Sequence, residues 1–211
     1  MTQRSNRFTD LPVVALQPVA EALADKAEWR AWARRTRRAM NATARAHHAA
    51  QVAESVAALA ERLNARRVAL YAPLGAEVDT RPLANRLIAE GRALAYPRLR
   101  EDGVVMDFVA CEGPAYLRQR PRSRLLEPVG APLDPAELDL IVAPALAVDA
   151  ALVRLGQGGG SYDRYLPLLR PEAVTVALVS AQLCAPWGPQ GAHDRAVDLV
   201  CTEDGLRKAQ R

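Results

Sequence analysis

The chain has 211 residues, half of them apolar and a quarter charged, which suits one domain with a real core and leaves little room for a second. No run approaches the roughly twenty apolar residues of a bilayer span, and the first apolar stretch is broken by Pro12, Pro18 and Glu21 with no signal-peptide architecture around it, so a cytoplasmic protein is expected. The net charge of +4 permits an anionic partner, while three scattered cysteines (Cys111, Cys184, Cys201) and three histidines (His47, His48, His193) support neither a disulfide framework nor a zinc site.

Residues 1–24 are expected to be loosely ordered. From Asp25, a plausible N-cap, "KAEWRAWARRTRRAM" reads as a helix. Lys26, Arg30 and Arg37 fall near one face, with Arg34 and Arg38 at its edge, while Trp29 and Trp32 project elsewhere to anchor it. Lys26 and Lys208 are the only lysines in an arginine-rich chain, and a compact ammonium differs from a planar fork in what it can hold. A second helix spans about 43–63, with Val52, Val56, Leu59 and Leu63 on one stripe. "RRVALYAPL" is a buried strand running into a loop, and "DTRPLANRLIAEGR" a helix capped by Thr80, opened by Pro82 and closed by Gly91. "ALAYP" and "VVMDFV" follow as strands, then a proline-, glycine- and arginine-rich loop over 112–135. "ELDLIVAPAL" is the most strongly buried-looking strand. A glycine run then enters a helix expected over 161–169, and "AVTVALVS" and "AVDLVCTE" complete the strands. This alternation predicts an α/β three-layer sandwich with a mainly parallel central sheet. Its ligand should sit beyond the strand ends, near the loops after Tyr71 and Val142. The domain is expected over 25–205, with 206–211 as a tail.

"RLGQGGGSYDRYL" places four glycines within Gly156–Gly160. The dinucleotide and P-loop patterns both fail, because Ser161 replaces the third glycine and no lysine follows. No G-x-S-x-G elbow is present either. Bare backbone lets N–H groups turn inward and lets a bulky anion approach, and a following helix adds its positive end. Asp163 supplies a hard oxygen suited to Mg²⁺ beside phosphates, and Arg164 could neutralise developing charge. A tight turn needing glycine only for packing is the plainer alternative.

The glycine segment closely resembles the signature of 5-formyltetrahydrofolate cyclo-ligases. "KAEWRAWARRTRRAM" resembles their N-terminal basic helix, "YAPLGAEVDTRPL" their substrate loop, "LDLIVAPALAVDAALVRLGQGGG" their strand and glycine loop, and "HDRAVDLVCTEDG" their C-terminal strand. The resemblance implies ATP-dependent closure of 5-formyltetrahydrofolate to 5,10-methenyltetrahydrofolate, by a monomer acting on a small molecule, without nucleic acid or membrane. It implies an ATP-contacting stretch of Lys26, Ala27, Glu28, Trp29 and Arg30, with Lys26 on phosphate. It also implies an ATP loop of Arg154, Leu155, Gly156, Gln157, Gly158, Gly159, Gly160, Ser161 and Tyr162, of which Gly158 to Ser161 also face the folate. Ala72 and Glu77 would contact the substrate, and Asp163 and Asp194 would hold Mg²⁺, with Asp198 close enough in sequence to compete for the second place. Lys26 and Arg164 are the expected catalytic residues. Ser161 stands where the family has an aromatic. Rival readings are a sugar-phosphate isomerase or CoA transferase on a related scaffold, a non-catalytic folate- or nucleotide-binding paralogue, and nucleic-acid binding through Arg30 to Arg38.

Overall fold

The most apolar stretch of the sequence becomes the middle of the sheet. The computed structural model describes residues 7–19, 23–186 and 188–210; positions 1–6 and 20–22 of the segment expected to be loosely ordered lie outside the described residues. In chain order the elements are α1 (Lys26–Ala39), α2 (Ala42–Arg62), β1 (Arg67–Ala69), α3 (Arg81–Ala89), β2 (Ala93–Leu99), β3 (Met106–Ala110), β4 (Arg118–Gln119) and β5 (Leu126–Glu127). They continue with β6 (Leu140–Pro144), β7 (Ala147–Val148), β8 (Arg154–Leu155), α4 (Ser161–Tyr165), β9 (Val174–Leu178), β10 (Leu199–Thr202) and β11 (Gly205–Arg207). Among the described residues the main sheet has seven strands in the order β11-β10-β9-β6-β1-β2-β3. The inner pairs are parallel, and β3 and β11 close the two edges antiparallel. This is the mainly parallel sandwich that the alternation of strands and helices predicts.

Side chains alternate across the sheet with period two. Leu140 and Val142 face α2 and α3 together with Val68, Leu70 and Val176. Ile141, Ala69 and Ala177 face the opposite layer, where Trp29 and Ala33 of α1 pack with Tyr165 and Leu166. Because β6 is covered on both faces, its apolar run shows no polar alternation.

The local signals resolve individually. Asp25 caps α1, accepting from Ala27 N at 2.7 Å and Glu28 N at 3.0 Å. Asn41 caps α2 through Ala44 N at 2.8 Å, so that helix starts one residue before Thr43. Thr80 occupies the N-cap position of α3 without capping it; its buried hydroxyl donates to Tyr71 O at 2.7 Å instead, and Asp79 takes Arg81 N at 3.0 Å. Gly91 ends the segment with φ +73°, a conformation that glycine adopts freely. The helix after the glycine run is shorter than the expected 161–169: α4 stops at Tyr165 and becomes a 3₁₀ turn over Leu166–Leu168, where Pro167 has no N–H to continue an α-helix. The stretch 112–135, expected as loop, holds the small hairpin β4–β5. The link between β6 and the glycines is itself a hairpin, β7–β8.

Segments expected to flank the domain also meet: Val14 N donates to Lys208 O at 2.8 Å, and Lys208 N to Pro12 O at 3.0 Å. No helix among the described residues is long and apolar enough to cross a membrane. At the centre, β1 and β6 are neighbours while the chain leaves them toward opposite halves of the sheet. Their following loops therefore diverge and open a crevice at the carboxyl ends.

Ile141→Ala removes a fully buried side chain from a strand covered on both faces. It should cost about 2–5 kcal/mol, read as a lower urea midpoint at unchanged m-value. A midpoint within error of the wild type would mean this layer is not packed as described.

Candidate active site

Arg154 leaves β8 pointing into the protein, its side chain 3% exposed. Its Nη2 donates to Asp163 Oδ1 at 3.0 Å and its Nη1 to Pro144 O at 3.3 Å. The guanidinium carbon lies 5.3 Å from the Tyr162 ring centroid, a cation–π distance. Burial pushes its pKa down, and Asp163, Tyr162 and Asp194 work against that shift. The Arg154 Nε and the Tyr162 hydroxyl are buried without a hydrogen-bond partner among the described residues. Both residues line the same cleft.

The glycine loop runs from β8 to α4 and is braced by α1. Arg30 Nε donates to Gly156 O at 3.0 Å, and Arg34 reaches Gln157 Oε1 through Nη2 at 2.9 Å. Gly158 and Gly160 have φ of +116° and +67°, which other residues adopt only with strain. A Cβ built at Gly160 would approach Arg164 Nη1 to 3.1 Å, whereas one at Gly156 would meet nothing within 4 Å. α4 has only five residues, so its dipole adds little and the loop amides and nearby arginines dominate the local field.

The crevice holds a largely apolar cleft of about 280 Å³. The loop after β1 supplies Tyr71, Ala72, Leu74 and Glu77; the ends of β2 and β3 supply Leu99 and Met106; the β4–β5 hairpin supplies Leu125 and Leu126. Glu77 Oε2 accepts from Leu74 N at 3.0 Å, which fixes the carboxylate on its own loop. Ser161 Oγ donates to Val104 O at 2.9 Å, tying the glycine loop to the turn between β2 and β3.

The expected residues divide into two groups. Ala72, Glu77, Arg154, Gly156, Gln157, Gly159, Gly160, Ser161, Tyr162 and Asp163 all line the cleft. Lys26 does not; its Nζ lies 2.5 Å from Asp194 Oδ2, and that oxygen also accepts from Gly191 N at 2.7 Å. Asp198 is committed elsewhere, to Thr175 N and Oγ1 at 2.8 and 2.7 Å. Ala27 and Glu28 are exposed, Trp29 is buried against the β7–β8 hairpin, and Leu155 is buried. Gly158 faces Arg30. Arg164 is exposed and bonds back to Gly159 O. The β4–β5 wall, hidden in a proline–arginine turn, carried no sequence signal; Arg37, expected only as part of the basic face of α1, is buried beside Glu77.

Comparison with known proteins gives a consistent picture. The sequence model of the 5-formyltetrahydrofolate cyclo-ligase family matches residues 22–203. A mouse 5-formyltetrahydrofolate cyclo-ligase is 27% identical over 178 residues, covering 79% of this chain and 88% of its own. The Mycolicibacterium smegmatis protein of the same name is 31% identical over 150 residues, covering 67% and 75%. The NMR structure of Aquifex aeolicus 5,10-methenyltetrahydrofolate synthetase superposes with a TM-score of 0.75 at 28% identity, over 88% of this chain and 93% of that one.

The Lys26–Asp194 pair has a testable pH signature. Burial disfavours the Asp194 charge, but Lys26, the Gly191 amide and Arg154 outweigh it and hold the carboxyl below the usual range. Such a carboxylate contributes stability above its unfolded pKa of about 3.9, and the contribution is lost as pH falls through the lower folded value. Asp194→Asn should therefore destabilise fully near neutrality and progressively less below about pH 4, measured by denaturant unfolding across the range. A deficit that stays constant into acid would show that charge is not what Asp194 supplies.

Proposed function

This chain belongs to the 5-formyltetrahydrofolate cyclo-ligase family, and we propose that it closes 5-formyltetrahydrofolate to 5,10-methenyltetrahydrofolate with consumption of ATP. The observation that carries the reading is the pairing, in one crevice, of an apolar cleft bearing the loop-anchored carboxylate of Glu77 with a glycine loop braced by arginines. The first suits a flat, nitrogen-rich ring; the second suits a polyphosphate.

The chemistry explains the need for both. A formamide oxygen is a poor leaving group. Transfer of the γ-phosphoryl of ATP to that oxygen makes it a phosphate ester and releases ADP. N10 then attacks the formyl carbon and gives up its proton, and the C–O bond breaks as phosphate departs. No covalent enzyme intermediate is required, so the protein's contribution is positioning and charge stabilisation.

In this reading the Gly156 to Gly160 amides cradle phosphate, and the open space at Gly156 lets it approach. The unpartnered Arg154 Nε and Tyr162 hydroxyl find acceptors when the cleft is filled. Glu77 accepts from N–H groups of the pterin and sets its orientation, with Ala72 alongside. Lys26, held by Asp194, turns its ammonium to phosphate as nucleotide enters.

The carboxylates also suit Mg²⁺. Asp163 commits Oδ1 to Arg154, and Asp194 commits Oδ2 to Lys26 and Gly191, which leaves the other oxygen of each without a hydrogen bond among the described residues. No cluster of three or more metal-ligating side chains occurs among the described residues. The metal that fits is therefore one taking one or two carboxylates and completing its shell with water and phosphate. When bound, it would neutralise phosphate charge. Arg164 could swing from Gly159 to the same charge.

The direct test is incubation with 5-formyltetrahydrofolate, ATP and Mg²⁺, following the methenyl chromophore and ADP together. Dependence of the chromophore on ATP is expected; binding of both ligands with no product would favour the non-catalytic paralogue. Lys26→Ala should lower kcat/KM by on the order of 100-fold in protein that still folds, because alanine suits the first helical position, while loss of the pair with Asp194 lowers Tm modestly. Undiminished turnover would remove Lys26 from the mechanism. Ser161→Tyr should lower KM for the folate by adding aromatic contact; an unchanged or raised KM would argue that the serine tie to Val104 matters more than the added ring.

A further inference from the structure

Behind Glu77 lies a second cavity of about 300 Å³, between the end of α1, the start of α2 and the loop after β1. It shares Glu77 and Ala145 with the cleft, so the two hollows meet at one carboxylate. Its wall carries Arg37, Arg45 and Arg81 against Glu77 and Asp79. Asp79 is taken by Arg81, through Nη2 at 2.6 Å and Nε at 2.9 Å. Arg37 and Arg45 have no ion-pair partner among the described residues.

Arg37 is the unusual member. It is 9% exposed, yet its one hydrogen bond among the described residues is a long contact, Nη1 to Ala145 O at 3.4 Å. A guanidinium carries five N–H donors, and burying it with so few acceptors is costly. Burial pushes its pKa down, and Glu77 is the largest opposing influence. His48, 3% exposed, lines the same cavity with its Nε2 lacking a hydrogen-bond partner and lying 3.7 Å from Glu203 Oε2. Burial lowers the pKa of this imidazole, so near neutrality it can donate one hydrogen bond without adding charge. The wall therefore presents one buried imidazole nitrogen without a hydrogen-bond partner, beside a guanidinium held by a single long contact among the described residues.

We propose that this cavity is an oxyanion subsite, with Arg37 as its buried anchor and Arg45 as the exposed charge at its mouth. The group it takes is a carboxylate or a phosphate. Two sources could supply it: the glutamate tail of a folate seated in the cleft, or a free phosphate. The border at Glu77 favours the tail, because a ligand leaving the cleft past Ala145 enters this cavity directly. That choice of source rests on the function proposed above; the subsite itself does not.

Two measurements separate these dependencies. ¹⁵N–¹H spectra that resolve the Arg37 Nε–H report binding of inorganic phosphate and of free tri-γ-glutamate without any turnover. Steady-state KM values for the mono- and tri-γ-glutamyl forms of 5-formyltetrahydrofolate report whether the tail is the source. At least one free anion should shift the Arg37 resonance, with affinity about fivefold weaker in Arg45→Gln. Arg37→Lys, which keeps charge but loses the fork, should weaken binding too, as seen at the Glu77 and Ser180 amides. If the tail is the source, the triglutamyl form has a several-fold lower KM, and Arg45→Gln removes that advantage with kcat unchanged. If free phosphate is the source, the two KM values agree while phosphate still shifts Arg37. The subsite is overturned if neither anion moves the Arg37 resonance, or if binding is undiminished in both variants. Failure of either folate to turn over would count against the proposed function and leave the spectra to decide the subsite.

Discussion

Burying the Arg154 guanidinium costs free energy that must be recovered within a few ångströms, and the way it is recovered shapes the site. One nitrogen returns to Pro144 O, the last residue of β6; another crosses to Asp163 at the start of α4; the face stacks on Tyr162. Three segments that would otherwise move independently, the end of the central strand, the glycine loop and the short helix, are thus fastened to one charge. The loop between them can then be built from residues with little conformational preference of their own. Glycine is tolerable there because both flanks are held.

The same economy explains α1. A helix with arginines along one face would ordinarily present a solvated basic surface. Here Arg30 and Arg34 bond the glycine loop, Arg37 turns inward and Lys26 meets Asp194. Trp29 and Trp32, packed edge to face at 5.4 Å, hold the helix against the sheet so that its cations can reach inward. Positive charge is thereby arranged around a backbone concavity rather than spread over a surface, and a low-dielectric cleft beside it strengthens each interaction. The combination suits the proposed reaction, which must place a polyanion against an apolar-walled ring site.

The cleft's second wall has a different character. The β4–β5 hairpin contributes Leu125 and Leu126 and is fastened by Arg120, which bonds Leu99 O and Glu127. Leu126 and Val129 remain substantially exposed. An apolar rim of this kind lets a ligand displace water from both sides as it enters, while the carboxylate of Glu77 stays anchored to its own loop.

How much of this was legible in the sequence depends on the kind of signal. The strands announced themselves by apolar runs, because a parallel sheet covered on both faces tolerates no polar alternation; β6 is the clearest example. Asp25, Pro82 and Gly91 act locally, through hydrogen bonds and dihedral angles a few residues away, so their roles could be read directly. Thr80 misled for the complementary reason: its hydroxyl had a choice between its own helix and the carbonyl of Tyr71, and only the packed structure brings the second within reach. α4 is shorter than the expected 161–169 because Pro167 cannot donate to continue it and the chain tightens into a 3₁₀ turn. The β4–β5 hairpin was hidden because two-residue strands carry too few residues for a period.

The glycine run, the lone lysine at the start of α1 and Glu77 could be singled out by residue type, since each offers chemistry that few alternatives supply. Their mutual placement could not. That Asp194 and not Asp198 meets Lys26, that Arg154 is buried rather than reaching outward, and that Arg37 stands behind Glu77 are matters of long-range packing. The first joins residues 168 positions apart. One-dimensional pattern fixes which faces are buried, because hydrophobicity and period act residue by residue; which charges find one another is decided only when the sheet closes and brings distant side chains together.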